Sequence, residues 1–159
     1  MRLRVESRSA ADTQQIGEIL GRQLRAGDVV GLSGDLGAGK TELVRGLARG
    51  LDIDPDVIYS PSFTLVAEHE GRLRLNHIDL FRLGEPVSSQ EEEEIGLTDY
   101  LSPVGVTVVE WHRKLPPTTV AWTVELDFAI GTGDRRTLIC EGGGAHAEAI
   151  LGALEHTWR

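Results

Sequence analysis

The sequence predicts a single α/β domain over residues 1–159, with a mixed, partly antiparallel sheet flanked by helices. Three observations carry that expectation. A length of 159 residues supports one sizeable core but not two. Segments of strand length alternate with segments of helical spacing, the mark of layered α/β architecture. One pair of strand segments is joined by a connector too short for a crossover, so those two strands run antiparallel.

Asp12 followed by Thr13 reads as a helix cap, and Ile16, Ile19, Leu20 and Leu24 follow at helical spacing. Gly27-Asp28 turns the chain into residues 29–33, a short apolar run suited to a buried strand. A glycine-rich turn over 34–39 follows directly. Residues 40–48 then place Leu43, Val44 and Leu47 on one helical face, with Gly50 as a stop. Residues 63–67 and 73–78 read as the two strands of the hairpin, joined by 68–72. The polar stretch 84–100 contains Glu91, Glu92, Glu93 and Glu94 and predicts one short helix with a solvated, acidic start. Residues 106–109 form a buried-type strand ending at Glu110-Trp111. Strands at 120–128 and 136–140 follow, bounded by Pro116-Pro117 and by the turn 131–134. Ile150, Leu151 and Leu154 give residues 145–158 the spacing of a docking helix.

Composition removes several classes. Apolar residues make up 40% and charged residues 26%, which is globular rather than disordered. No apolar run approaches the roughly 20 residues that span a bilayer, so no membrane association is expected. The segment MRLRVESRSAAD lacks the apolar stretch of a signal peptide. Cys140 is the single cysteine, which excludes an internal disulfide and favours a reducing, cytoplasmic setting. The five histidines show no zinc-ligand spacing. A net charge of −9 opposes unaided binding to nucleic acid. Of the 16 basic residues only Lys40 and Lys114 are lysine, which asks what arginine could not do there; Lys114 reads as a surface residue.

The answer for Lys40 lies in its surroundings. Gly34, Asp35, Leu36, Gly37, Ala38, Gly39, Lys40 and Thr41 fit G-x-x-x-x-G-K-[ST] at every fixed position. Backbone N–H groups in such a loop turn inward around phosphate oxygens, and glycine permits the positive φ and close approach involved. The helix that follows directs its positive end at the same place. Lys40 offers a compact ammonium to the β- and γ-phosphates, and the Thr41 hydroxyl can ligate Mg2+. The motif lies between a predicted strand and a predicted helix, as its mechanism requires. The expected class is therefore a P-loop NTPase that binds a nucleotide with magnesium.

Asp79 and Glu110 each close a predicted strand, where ligands of open α/β sheets collect. One such carboxylate can bind metal and the other orient, or take a proton from, the attacking water. Their residue types leave open which does which. Trp111 reads either as core packing or as a ring over the nucleotide, and His77 as a hydrogen-bonded strand residue. Thr13 and Arg136 are candidates to approach base or phosphates from elsewhere in the chain; a cap for Thr13, and a solvated turn for Arg136 with Arg135, are the alternatives. Arg45 and Arg49 share a helix face, either as surface charge or as a contact for an acidic partner or a phosphate.

Four motifs occur in one order: 34–41 with Arg45-Gly46-Leu47, then Ser60-Pro61-Ser62-Phe63-Thr64-Leu65-Val66, then His77-Ile78-Asp79-Leu80-Phe81-Arg82-Leu83, then Glu110-Trp111. From about Thr13 to Arg136 the chain resembles the TsaE (YjeE) family of small bacterial ATPases. The resemblance implies ATP hydrolysis in threonylcarbamoylation of the adenosine beside the anticodon, with the TsaB–TsaD heterodimer as partner and tRNA reached through that complex. It implies that Thr41 and Glu110 hold Mg2+ and that Asp79 is the acidic group for hydrolysis, itself a further candidate ligand. Residues 60–64, with Ser60 and Ser62 among them, would match a switch-like loop near the γ-phosphate, and Trp111 the aromatic beside the magnesium-binding Glu110. Several positions depart from the family pattern. Glu42 replaces a second Thr, and its added negative charge predicts a side chain directed away from the phosphates. Ser62 replaces Thr and Phe81 replaces Tyr, while His112-Arg113 stand where an acidic residue is frequent. A small-molecule P-loop kinase and a nucleotide-dependent interaction module without useful turnover are the competing functions. The acidic, arginine-free segment 84–97 opposes the first, since a kinase lid carries arginine.

Overall fold

The computed structural model describes residues 1–101 and 104–158. Its elements run β1 (Arg2–Ser7), α1 (Ala10–Gln23), β2 (Val29–Ser33), α2 (Lys40–Gly50), β3 (Val66–His69), β4 (Arg74–Asp79), α3 (Ser89–Ile95), α4 (Leu97–Tyr100), β5 (Gly105–Glu110), β6 (Val124–Ile130), β7 (Arg136–Glu141) and α5 (Ala145–Thr157). Single 3-10 turns occupy Pro55–Val57 and His112–Lys114.

Among the described residues the strands form one seven-stranded sheet in the order β1-β7-β6-β2-β5-β4-β3. The four central strands β6, β2, β5 and β4 are parallel, and β3, β7 and β1 are added antiparallel at the edges. This is the mixed α/β architecture expected, with the 73–78 strand paired antiparallel to its predecessor as the short connector requires.

β5 is buried at every position, because both faces of the sheet are covered. On one face Val30 and Leu32 of β2, Leu75 of β4, and Val106 and Val108 of β5 pack with Ile16, Leu20, Leu43, Leu47 and Leu154 from α1, α2 and α5. On the other, Val29, Ile78 and Val109 pack with Leu80, Leu97 and Leu115. Strand side chains alternate in direction, so His77 and Asp79 follow Leu75 toward α2, and Glu110 follows Val108. Glycine brings α1 and α2 together: a Cβ on Gly46 would lie 2.0 Å from the Gln14 carbonyl oxygen.

Several boundaries differ from expectation. β1 lies where the sequence predicts no strand, because Leu3 and Val5 alternate with Arg2, Arg4 and Glu6 in so short a stretch that charge dominates the pattern. α1 is capped by Ser9, whose Oγ accepts from the Asp12 N–H at 3.0 Å, so Asp12 lies in the first turn and Thr13 is not a cap. α2 continues through Gly50 to a cap at Leu51. β3 begins at Val66 rather than 63, because the chain turns at 61–65 with Leu65 at φ 69°. The stretch 84–100 holds two helices, α3 and α4, separated at Gly96, whose φ of 70° interrupts the helix. β6 starts at Val124, four residues later than expected.

Candidate nucleotide site

The loop after β2 reverses direction through Gly34, Gly37 and Gly39, all at positive φ (145°, 80° and 102°). Its last glycine delivers Lys40 as the first residue of α2. The register sets Leu32 beside Glu110 and Glu110 beside Asp79. Three adjacent parallel strands thus end together, and their tips carry the loop and the two acids. A cleft of about 400 Å3 opens there, lined among others by Gly37, Lys40, Thr41, Asp79, Glu110 and Trp111.

Lys40 is 5% exposed. Its Nζ donates to the Gly34 carbonyl at 2.5 Å and the Asp35 carbonyl at 2.9 Å, and stands 4.4 Å from the centroid of Trp111. Burial pulls its pKa below the ordinary lysine value, and the charges of Glu110, Asp79 and Asp35 work in the opposite direction. Thr41 Oγ1 lies 3.3 and 3.4 Å from the two Glu110 oxygens and donates toward them.

Asp79 is turned to the loop that precedes β3. Its Oδ2 accepts from the Ser62 hydroxyl at 3.0 Å and from the Ser60 hydroxyl, and its Oδ1 accepts from the Phe81 N–H at 2.9 Å. The backbone seals the same junction, the Asp79 N–H donating to the Leu65 carbonyl at 2.9 Å. Trp111 follows β5 in the left-handed region at φ 62°, its N–H on the Leu32 carbonyl at 2.9 Å. Its ring lies 5.3 Å from that of Phe81. Trp111 therefore walls the cleft while also packing against the second core.

The remaining candidates are placed differently. Leu36, Ala38, Gly39, Ser60, Ser62 and Glu42 line the cleft. Glu42 nonetheless has both oxygens engaged, by the Gln14 amide at 2.6 Å and by Arg45. Arg45 also donates to the Ile58 carbonyl at 3.0 Å, so it ties α2 to the 3-10 turn before the serine loop, while Arg49 is exposed. Gly34 and Asp35 meet Lys40 through their carbonyls. Thr13 is buried behind the loop with its hydroxyl 2.7 Å from Ser7 Oγ, and Arg136 grips the loop from outside through the Gly37 carbonyl at 3.1 Å; neither lines the cleft. Lys114 is more than a surface residue, because its Nζ donates to the Phe81 and Leu83 carbonyls at 2.7 and 3.0 Å and holds the turn after Asp79.

Two buried histidines complete the surroundings. His77 Nε2 lies 2.5 Å from Glu110 Oε2, and His112 Nε2 lies 2.9 Å from Glu125 Oε1. In the sequence His112 stands out only as a departure from the family pattern. Its place beneath Gly31 depends on strand pairing, although a glycine inside an apolar strand is a usable sign of close approach.

A glycine-rich loop joining a buried strand to a helix, with acids at the ends of neighbouring parallel strands, defines a P-loop nucleotide-binding protein. The family model for the threonylcarbamoyl adenosine biosynthesis protein TsaE matches residues 7–138. The chain belongs to the TsaE family. The tRNA threonylcarbamoyladenosine biosynthesis protein TsaE of Treponema pallidum is 41% identical over 128 residues, covering 80% of this chain and 92% of its own. That of Bacillus subtilis is 34% identical over 143 residues, covering 82% and 86%. In three dimensions the chain is similar to the crystal structure of Bacillus subtilis YdiB, with a TM-score of 0.74, 28% identity and coverage of 98% of this chain and 95% of that one.

Proposed function

We propose that this chain is one P-loop ATPase domain that binds ATP with Mg2+ and hydrolyses it within the tRNA threonylcarbamoyladenosine machinery. The observation that carries the reading is the meeting of loop 34–41 with Asp79 and Glu110 at the tips of adjacent strands. The donor chemistry fits magnesium, since the Thr41 hydroxyl and the Glu110 carboxylate are hard oxygens 3.3 and 3.4 Å apart. When bound, the ion neutralises charge on the phosphates. Thr41 and Glu110 hold it. Asp79 connects the serine loop to the site, and its carboxylate orients the attacking water or accepts its proton. Lys40 exchanges the Gly34 and Asp35 carbonyls for phosphate oxygens, and Trp111 closes the wall beside it. Asp79 already accepts from Ser60, Ser62 and Phe81, which supports giving the metal to Glu110 rather than to Asp79.

The TsaB–TsaD pair is the proposed partner, and tRNA is reached through it. With a net charge of −9 the chain has little long-range attraction for RNA. No helix among the described residues is long and apolar enough to cross a membrane, and a cytoplasmic setting is proposed. The test is capture of this chain by immobilised TsaB–TsaD with and without ATP and Mg2+, together with its hydrolysis rate. Nucleotide-dependent capture and faster hydrolysis are expected. Neither capture nor stimulation would overturn the reading. Capture and tRNA modification that survive Asp79→Ala with hydrolysis abolished would favour an interaction module without useful turnover.

A further inference from the structure

We infer that His77 is the positioning residue for the Glu110 carboxylate, an assignment that rests on the metal-binding reading above. His77 is fully buried in β4 on the face that looks toward α2. Its Nε2 is 2.5 Å from Glu110 Oε2, on the next strand. An ionised carboxylate only accepts hydrogen bonds, so Nε2 carries the hydrogen and donates it. The other ring nitrogen, Nδ1, has no partner among the described residues. Glu110 is itself 3% exposed, and its remaining hydroxyl contact is Thr41 at 3.3 and 3.4 Å. The hydrogen bond from His77 is therefore the contact that reaches this carboxylate from the buried side, opposite the longer approach of Thr41. It holds Oε2 from within the fold, while the Thr41 hydroxyl stands almost equally far from the two carboxylate oxygens.

Packing alone does not call for an imidazole here. Leu75, two residues earlier on the same face, fills its place with an apolar side chain. Burying a ring nitrogen without a partner costs free energy that a Leu or Phe would avoid. The gain that offsets it is at Glu110. Nor is His77 a proton acceptor for water in the cleft, since the ring is fully buried and does not line the cleft. Outer hydrogen bonds of this kind set the affinity of a carboxylate for its metal, and their loss typically weakens binding about 10–100-fold.

The test compares His77→Gln with His77→Asn in the full chain. The glutamine amide nitrogen is separated from Cβ by the same number of bonds as Nε2 and can reach Glu110; the asparagine amide stops short. Mn2+ is titrated into the protein–ADP complex and followed by electron paramagnetic resonance, with ADP affinity in metal-free buffer measured alongside. His77→Asn should weaken Mn2+ by about 10-fold or more, His77→Gln should stay within about threefold of the unaltered chain, and metal-free ADP affinity should be unchanged in both. If the asparagine variant does not fold, His77→Phe, which keeps a ring but has no donor, carries the same expectation. Unaltered Mn2+ affinity in a folded Asn or Phe variant overturns the assignment. So does a parallel loss of metal-free ADP binding, the signature of a general structural role. Failure of the unaltered chain to bind Mn2+ with ADP overturns the metal-binding reading itself, and this assignment with it.

Discussion

His112 occupies space that only glycine leaves open. A Cβ on Gly31 would lie 2.4 Å from His112 Cδ2 and 2.6 Å from Cγ. The ring is wedged between β2 and Trp122, whose centroid is 4.9 Å away in an edge contact, and Glu125 holds its Nε2. The residue before it is Trp111, whose left-handed backbone aims the indole at Lys40. Gly31 thus governs the cleft wall from within the sheet. Gly31→Ala should destabilise the fold by about 1–3 kcal/mol through overpacking, measured by urea unfolding. In Gly31→Ala/His112→Ala the methyl group has room, so the two losses should fall short of adding. Strict additivity would show that the ring does not occupy this seat. Residues 34–41 were legible in the sequence because a contiguous motif specifies its own geometry. His77 was legible as a hydrogen-bonded strand residue, but its pairing with Glu110 was not, nor were the roles of Gly31 and His112, because each depends on a residue delivered by a distant strand or turn.

The serine loop belongs to the scale of elements. Ser60 and Ser62 converge on Asp79 Oδ2, and Arg82 lies 4.0 Å over the Phe63 ring, so the loop is fastened to the end of β4 at two points. Hydrogen bonds to a charged acceptor contribute about 1.5–3 kcal/mol each. Removing both hydroxyls in Ser60→Ala/Ser62→Ala should release the loop without unfolding the sheet. Amide exchange across 60–65 should quicken while β4 and β5 stay protected, and hydrolysis should fall further than ATP affinity. Uniform loss of protection across β4 would mean that the serines support the sheet instead. The misplaced start of β3 has its cause here. Residues 63–65 are apolar or β-branched enough to read as strand, but the Leu65 N–H closes a turn on the Pro61 carbonyl at 2.7 Å. A leucine at positive φ carries no local signal. Gly96, which separates α3 from α4, did carry one, since glycine favours that conformation.

At the scale of the molecule the α/β class followed from periodicity, whereas strand order did not, because β2 pairs with β5 and β6 across long stretches of intervening chain. That order also determines where the single cysteine lies. Cys140 of β7 is paired with Leu3 of β1 and Leu126 of β6 and is wholly buried in the core beneath the helices. Burial, and secondarily the charge of Asp127, push its thiol from the ordinary 9.0 up to about 12. The unfolded chain therefore releases this proton near pH 9 while the folded chain retains it toward pH 12. A group whose folded pKa is raised contributes its stability in full below the unfolded pKa. As pH climbs through the interval, the unfolded state gains at about 1.4 kcal/mol per pH unit. Cys140→Val preserves an apolar side chain of similar size and removes the titration. Urea unfolding at pH 8 and pH 10.5 isolates the difference, because every other group titrates alike in both proteins. The unaltered chain should lose about 2 kcal/mol more than the variant over that interval. Equal losses would place the thiol within reach of solvent, against the sealed β1–β7–β6 corner that the strand order builds.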